Sequence, residues 1–323
     1  DGWYDRKKLE FQKLEDLILL TAMGPPGGGR THITNRLVRH FNMLTYTELD
    51  EDTIKYIFNT IVEFFLRKFE DPVKEVTGQL VNTVLNVYNT VKAQLKPLPN
   101  KSFYTFNLRD ISKVFQGICS ASPNHCTKRA DIVRLWYHEN MRVFHDRLTT
   151  EEDREFLKNL LKSQFQTFEL TAEEVINKDR ILFGDFMMGR DVEPKLYVQI
   201  EDLSLLLKKM EEYLYDYNSE SGGHKKQMKL VMFLDACEHI TRICRILRQP
   251  QGHALLLGVG GSGRQSLARM ATYISGYRLY QVEVVKGYNI PKWRDDLKKC
   301  LMMAGVENKQ VTFLFVDTQI IKE

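Results

Sequence analysis

Long hydrophobic runs are the first thing this sequence lacks. No stretch approaches the 18 or more apolar residues of a membrane-spanning helix, and nothing in it calls for a membrane. The five cysteines are odd in number and contain no C-x-x-C pair, which excludes a disulfide framework or a zinc ribbon and fits a reducing compartment. An excess of one charge is also missing. Lys and Arg total 46 against 42 Asp and Glu, a net charge of +4 with both signs interspersed, which gives no electrostatic footprint for nucleic acid. The chain opens on "DGWYDRKK" with neither an initiator Met nor the apolar core of a signal peptide, and stops at "IIKE" just after an apolar stretch. It reads as a piece of something longer.

What is present is ordinary globular material, 323 residues with 43% hydrophobic and 27% charged side chains, enough for two domains or parts of two. His125, Cys126, His138 and His145 invite a metal reading. The seven-residue spacing of the last two in "LWYHENMRVFHDRL" fits one helix face better.

Along the chain, "DLILLTAM" reads as a buried strand ended by the Pro/Gly loop "GPPGGGR". A short helix over "HITNRLVRHF", a strand over "FNMLTYTEL" and a helix capped by Asp50 follow. Residues 72–170 carry long helical patterns, broken by two prolines at "KPLPNKSF", with Trp136, Tyr137 and Phe144 as core. A connector over "ILFGDFMMGRDVEPKLYVQI" leads to the solvated turn "SGGHKKQMK" and a helix with Val231, Leu234, Cys237, Cys244 and Leu247 along one stripe. Then strand "HALLLG", a glycine loop, a helix closed by Gly276, strand "YQVEVV", helix "KWRDDLKKCLMMAG" and strand "VTFLFVD" spell β-α-β-α-β, the opening of a parallel sheet.

The loop "GVGGSGRQS" fits two phosphate-binding patterns. As G-x-x-x-x-G, Gly258 and Gly263 frame Val259, Gly260, Gly261 and Ser262, and backbone N–H groups wrap a phosphate chain at a helix N-terminus. As G-x-G-x-x-G, Gly258, Gly260 and Gly263 admit a pyrophosphate, with Glu283 at the distance of a ribose-binding acid. A turn without ligand is the third reading. The apolar strand ending at Asp317 favours the nucleoside triphosphate, because such a site needs an acid there to hold Mg²⁺ through water.

The details depart from that pattern. Arg264 stands where Lys is usual, keeping the charge but not its point-like geometry. Gln265 occupies the Mg²⁺-coordinating Ser/Thr position, and Ser266 lies about 100° further round a helix of roughly 3.6 residues per turn. Thr318 follows Asp317 where a water-orienting glutamate is expected, and slipping the register by one still leaves one carboxylate short. Nucleotide binding without efficient turnover is the physical expectation.

Taken together, "LTAMGPPGGGR", "RLVRHFN", "FNLRDISKVFQGI", "RLWYHENMRVFHDRL", "LFGDF", "CEHITRICRILRQ", "GVGGSGRQS" and "FLFVDTQI" resemble the motor region of dynein heavy chains of the axonemal type, over essentially the whole chain. The resemblance implies an α/β fold of AAA+ P-loop NTPase modules, parallel sheets with flanking helices, joined by an all-helical lid. By it, residues 1–70 are the C-terminal part of the large subdomain of the third module, 71–180 its lid, and 181–323 the N-terminal half of the fourth module with the P-loop. The third module's own phosphate loop and the microtubule-binding stalk would lie outside the chain. Gly24 stands where related ATPases often place a sensor Asn.

The same resemblance makes Arg39, or failing that Arg36, an arginine finger toward a neighbouring module, and Arg109 a lid arginine touching its own module's phosphates. Their alternatives are a surface arginine and an ion pair at a helix start. It implies ATP or ADP with Mg²⁺ at Asp317 and Ser266. It further implies other AAA+ modules, intermediate and light chains and microtubules as partners, and a place in the cytoplasm, cytoskeleton and ciliary or flagellar axoneme. An active ATPase module and a nucleotide-free ring scaffold stay open beside a regulatory or structural nucleotide site.

Overall fold

Asp50 accepts a hydrogen bond from the Thr53 N–H at 3.2 Å, and at that cap the helical body of the chain begins. A computed structural model describes residues 2–24, 32–47, 49–220 and 227–320, in two units, Asp1–Leu49 and Asp50–Glu323. Most of the loop "GPPGGGR" and most of the turn "SGGHKKQMK" fall outside the described residues.

Within the first unit, β1 (Gly2–Tyr4) and β2 (Phe11–Lys13) form an antiparallel hairpin that the sequence reading did not anticipate. Its turn is tied by the Asp5 carboxylate, which accepts the N–H groups of Lys7 and Lys8 at 2.8 and 2.9 Å. The strands expected over "DLILLTAM" and "FNMLTYTEL" are not strands. Residues 17–23 and 42–47 are irregular segments without a ladder partner among the described residues, and Leu20 is 96% exposed. An apolar run supplies the side chains of a buried strand, but its N–H and C=O groups need a neighbour to pair with. The helix between them is a single turn, α1 (Asn35–Val38).

In the second unit the helical patterns are realised closely. α2 (Glu51–Leu66), the one-turn α3 (Asp71–Lys74), α4 (Thr77–Gln94), α5 (Leu108–Ile118), α6 (Arg129–Val143), α7 (Glu151–Ser163) and the one-turn α8 (Ala172–Val175) enclose a first core. Trp136, Phe144, Phe165 and Phe168 are buried at its centre, with the Trp136 ring edge-on to Phe168 at 5.3 Å. The connector "ILFGDFMMGRDVEPKLYVQI" folds as a minimal antiparallel pair, β3 (Phe183–Gly184) with β4 (Val198–Gln199).

A second core gathers Leu206, Met210 and Tyr213 of α9 (Leu203–Glu220), Cys237, Ile240 and Cys244 of α10 (Leu234–Arg248), and Met270, Ala271 and Ile274 of α11 (Arg264–Ile274). Val231, expected on the α10 stripe, precedes the helix and is exposed. β5 (Arg278–Gln281) and β6 (Val311–Leu314) pair in parallel from Arg278 opposite Val311 to Gln281 opposite Leu314, with α12 (Ile290–Gly305) as the crossover. The expected strand over "HALLLG" has no ladder partner among the described residues. Leu256 packs on the second core while Leu255 and Leu257 face outward, so the segment keeps a strand's alternation though no described strand pairs with it. All five cysteines are free thiols, and no helix among the described residues is long and apolar enough to cross a membrane.

Candidate phosphate-binding loop

The glycine loop connects that extended segment to α11, and its shape depends on two glycines. Gly261 and Gly263 sit at φ of +81° and +76°, left-handed backbone that other residues enter only with strain, and Gly263 is the N-cap of α11. Gly258 has no such requirement, since a Cβ there would meet Ser262 Oγ at 3.4 Å and Arg264 Cδ at 3.5 Å, ordinary contacts. The first intrahelical bond of α11 runs from Leu267 N to Gly263 O at 3.0 Å. The N–H groups of Arg264, Gln265 and Ser266 therefore point out of the helix start without helical acceptors, the arrangement that favours an anion.

Arg264 folds back over the loop. Its Nη1 donates to Leu256 O at 3.4 Å and its Nη2 to Val259 O at 3.3 Å, so the side chain is held beside Gly258 at the start of the loop. These are long, neutral-acceptor bonds, which a phosphate oxygen would replace with charge-assisted ones. Val259, Gly260, Ser262 and Gln265 are exposed, and Ser266 is half-buried.

Asp317 opens a short 3₁₀ turn, Asp317–Gln319, after β6, and α11 packs against both strands of the pair. Its exposed carboxylate accepts the Thr318 N–H at 2.9 Å; among the described residues no hydrogen bond or ion pair joins it to the loop. Gln319 escaped the sequence reading. Its Oε1 accepts the Val316 N–H at 2.9 Å and its Nε2 donates to Val282 O, tying the chain beyond β5 to the chain beyond β6 where the ladder has ended. Arg269 of α11 likewise donates to Gln281 Oε1 of β5 at 2.7 Å.

Arg39 and Arg36 lie on or beside α1 in the first unit, both exposed, and Arg39 Nε contacts only His40 Nε2 at 3.3 Å among the described residues. Arg109 is exposed in the first turn of α5, whose start is closed by a capping box of Asn107 and Asp110. An ion pair does form at that helix start, but with a different arginine. Asp110 is buried and pairs with Arg147 Nη2 at 2.6 Å, which leaves the Arg109 guanidinium without an ion pair among the described residues.

His138 is buried against its neighbour Glu139 and not part of a ligand set; among the described residues no group of three or more His, Cys, Asp or Glu could hold a metal ion. Glu139, which nothing in the sequence reading singled out, is fully buried. Its Oε1 accepts from Tyr197 Oη at 3.0 Å and contacts His138 Nδ1 at 3.1 Å, and its Oε2 accepts from Arg245 Nε at 2.9 Å and from Arg245 Nη2. Burial alone would raise the Glu139 carboxyl, but the Arg245 charge and the His138 hydrogen bond bring it down to about 2. Burial pushes His138 down to about 4 against the pull of Glu139, so the imidazole is neutral at pH 7.

A glycine loop opening a helix, a parallel strand pair with an acid after it and a separate helical core define the class, P-loop ATPase modules with a lid. Three family matches agree. Residues 228–323 match the P-loop containing dynein motor region D4, residues 57–154 the dynein heavy chain ATPase lid domain, and residues 1–49 a P-loop containing dynein motor region. Over its full length the chain is 47% identical to dynein axonemal heavy chain 1 of Mus musculus and of Homo sapiens, and 42% identical to dynein axonemal heavy chain 6 of Homo sapiens. It covers 8% of the length of each of these relatives. The chain belongs to the dynein heavy chain family of the axonemal type, as a segment of the AAA+ motor region.

Proposed function

We propose that the glycine loop at 258–266 binds ATP or ADP mainly as a regulatory or structural ligand, with weak or no hydrolysis, within an ATP-driven, minus-end-directed microtubule motor of the axoneme. The observation that carries this is the start of α11. Two left-handed glycines turn the chain into a helix whose first N–H groups have no acceptor among the described residues, with a guanidinium held beside Gly258. The donor set fits a phosphate chain. It fits hydrolysis poorly, because Gln265 offers no hydroxyl to Mg²⁺, Ser266 next to it is half-buried, and Asp317 is followed by Thr318 and not by a second carboxylate.

Residues 1–70, 71–180 and 181–323 are read as the end of the third module, its lid and the first half of the fourth. In this reading Arg39 reaches a neighbouring module's nucleotide and Arg109 its own, consistent with guanidinium groups that are exposed and without ion pairs among the described residues. The other modules of the heavy chain, its intermediate and light chains, and microtubules are partners through the parent protein.

Replacing Arg264 by alanine tests the loop. A charge-assisted contact to phosphate contributes about 1.5–3 kcal/mol, so calorimetric affinity for Mg-ATP and Mg-ADP falls by roughly tenfold or more. NAD, the ligand of the alternative glycine pattern, gives no heat. Unchanged adenine-nucleotide affinity in the variant removes Arg264 from the site.

A further inference from the structure

The two hydrophobic cores of the second unit meet across a seam of charge. Glu139, Arg142 and Asp146, three and four residues apart along α6 and the turn after it, face Glu238, Arg242 and Arg245, four and three apart on α10. Arg142 Nη1 lies 3.6 Å from Glu238 Oε1, Arg242 Nε 3.6 Å from Asp146 Oδ2, and Arg180 pairs with Asp235 at 2.6 Å and Glu238 at 3.1 Å. These contacts are long or partly exposed. The Glu139–Arg245 contact is different, because both side chains are at least nine-tenths buried and both carboxylate oxygens are engaged.

The first core was cut to admit that carboxylate. A Cβ on Gly117 of α5 would lie 1.7 Å from Glu139 Oε2, so only glycine at 117 lets Glu139 reach its place. On the other side, Arg245 is adjacent in sequence to Cys244, whose thiol points at Ala271 O of α11 at 3.8 Å, and α10 and α11 pack along their lengths. A buried contact in which two guanidinium N–H groups converge on one carboxylate oxygen, while Tyr197 and His138 hold the other, fixes the roll of α10 in a way that sliding apolar surfaces do not. Interfaces of this kind are discrete in geometry, so a change on one side is passed on and not absorbed.

We propose that Glu139 and Arg245 are positioning residues for the glycine loop: the buried carboxylate of the lid fixes α10, α10 fixes α11, and α11 aims the free N–H groups on which phosphate affinity depends. The lid matched at 57–154 thereby sets the ligand affinity of the loop in the segment matched at 228–323. The effect on affinity rests on the loop being a nucleotide site; the effect on α11 does not.

Hydrogen exchange of the chain without ligand, in Glu139→Gln, Arg245→Lys and Gly117→Ala, separates the two. Arg245→Lys keeps the charge while losing the paired donors, and so covers the case in which Glu139→Gln does not fold. The expected result is that exchange of amides 267–274 of α11 accelerates at least tenfold more than that of α4, whose amides share only the general loss of stability. Mg-ATP affinity, measured on the same variants, falls at least threefold. Exchange that rises equally in α4 and α11, or stays unchanged in α11 of a folded variant, overturns the proposal and leaves the pair a structural tie. Loosening of α11 with no nucleotide bound by the unaltered chain upholds the positioning step and overturns the nucleotide reading alone.

Discussion

Glu139→Gln lowers the stability of the second unit by about 3–5 kcal/mol, the cost of leaving a buried cation without its partner. Glutamine keeps the shape and can still accept from Tyr197, so the loss is specific to the charge that Arg245 requires. Glu139→Leu combined with Arg245→Met removes both charges and recovers part of that loss, since apolar pairs of similar volume often replace a buried ion pair without penalty, while the Tyr197 hydroxyl is left without its acceptor. Urea unfolding midpoints of the single and double variants measure both. A Glu139→Gln midpoint equal to that of the unaltered chain contradicts the assignment.

The same cluster gives stability a pH dependence with a definite sign. His138 and Glu139 both have folded pKa values below their ordinary ones, about 4 against 6.5 and about 2 against 4.5. In each case the unfolded chain binds the proton first as pH falls. Stability from His138 is fully present above about pH 6.5 and is lost as pH falls toward about 4; that from Glu139 is lost between about 4.5 and about 2. Arg142, Arg245 and Tyr197, the other groups facing this pair, stay in one protonation state throughout that range, with burial and the Glu139 charge holding the Tyr197 hydroxyl well above its ordinary value.

Trp136→Ala is expected to cost about 3–5 kcal/mol, because the side chain is fully buried among Phe165 and Phe168 and the cavity it leaves cannot close. Trp136→Phe is milder, because the phenyl ring refills much of the volume. The indole N–H has no hydrogen-bond partner among the described residues, so both variants remove the same unsatisfied donor and differ only in the cavity they leave. Thermal unfolding of the two variants measures that difference. Equal losses would show that the retained ring volume contributes nothing.

The helices of the second unit were legible in the sequence because their information is local. Asp50 before a periodic apolar run, and the Trp136, Tyr137 and Phe144 positions inward on their helix, specify elements that close their own hydrogen bonds. The strands were legible as side-chain patterns only. Residues 17–23, 42–47 and 253–258 have the apolar character of strands, yet a strand is completed by its neighbours, and none pairs with them among the described residues. The glycine loop was readable down to its helix N-terminus. Gly261 and Gly263 proved to be the glycines that the backbone demands, while Gly258, the first residue of either motif, is not constrained by it.

The buried seam was the feature hidden most completely. Glu139 and Arg245 look in the sequence like the solvated charges that most helices carry. Their one signal is phase: Arg245 falls four and eight residues after the buried Thr241 and Cys237, on the stripe where an apolar residue belongs. A charge in phase with a core stripe announces a partner. It does not say that the partner lies 106 residues away on the lid.

Titration of Mg-ATP into the unaltered chain, followed by calorimetry, tests most directly whether the glycine loop is a nucleotide site. The expected result is saturable binding that Mg-ADP competes for, NAD leaves unaffected, and prolonged incubation accompanies with little or no release of phosphate. A folded chain that takes up neither adenine nucleotide would contradict the account and leave the loop a turn in a ring scaffold.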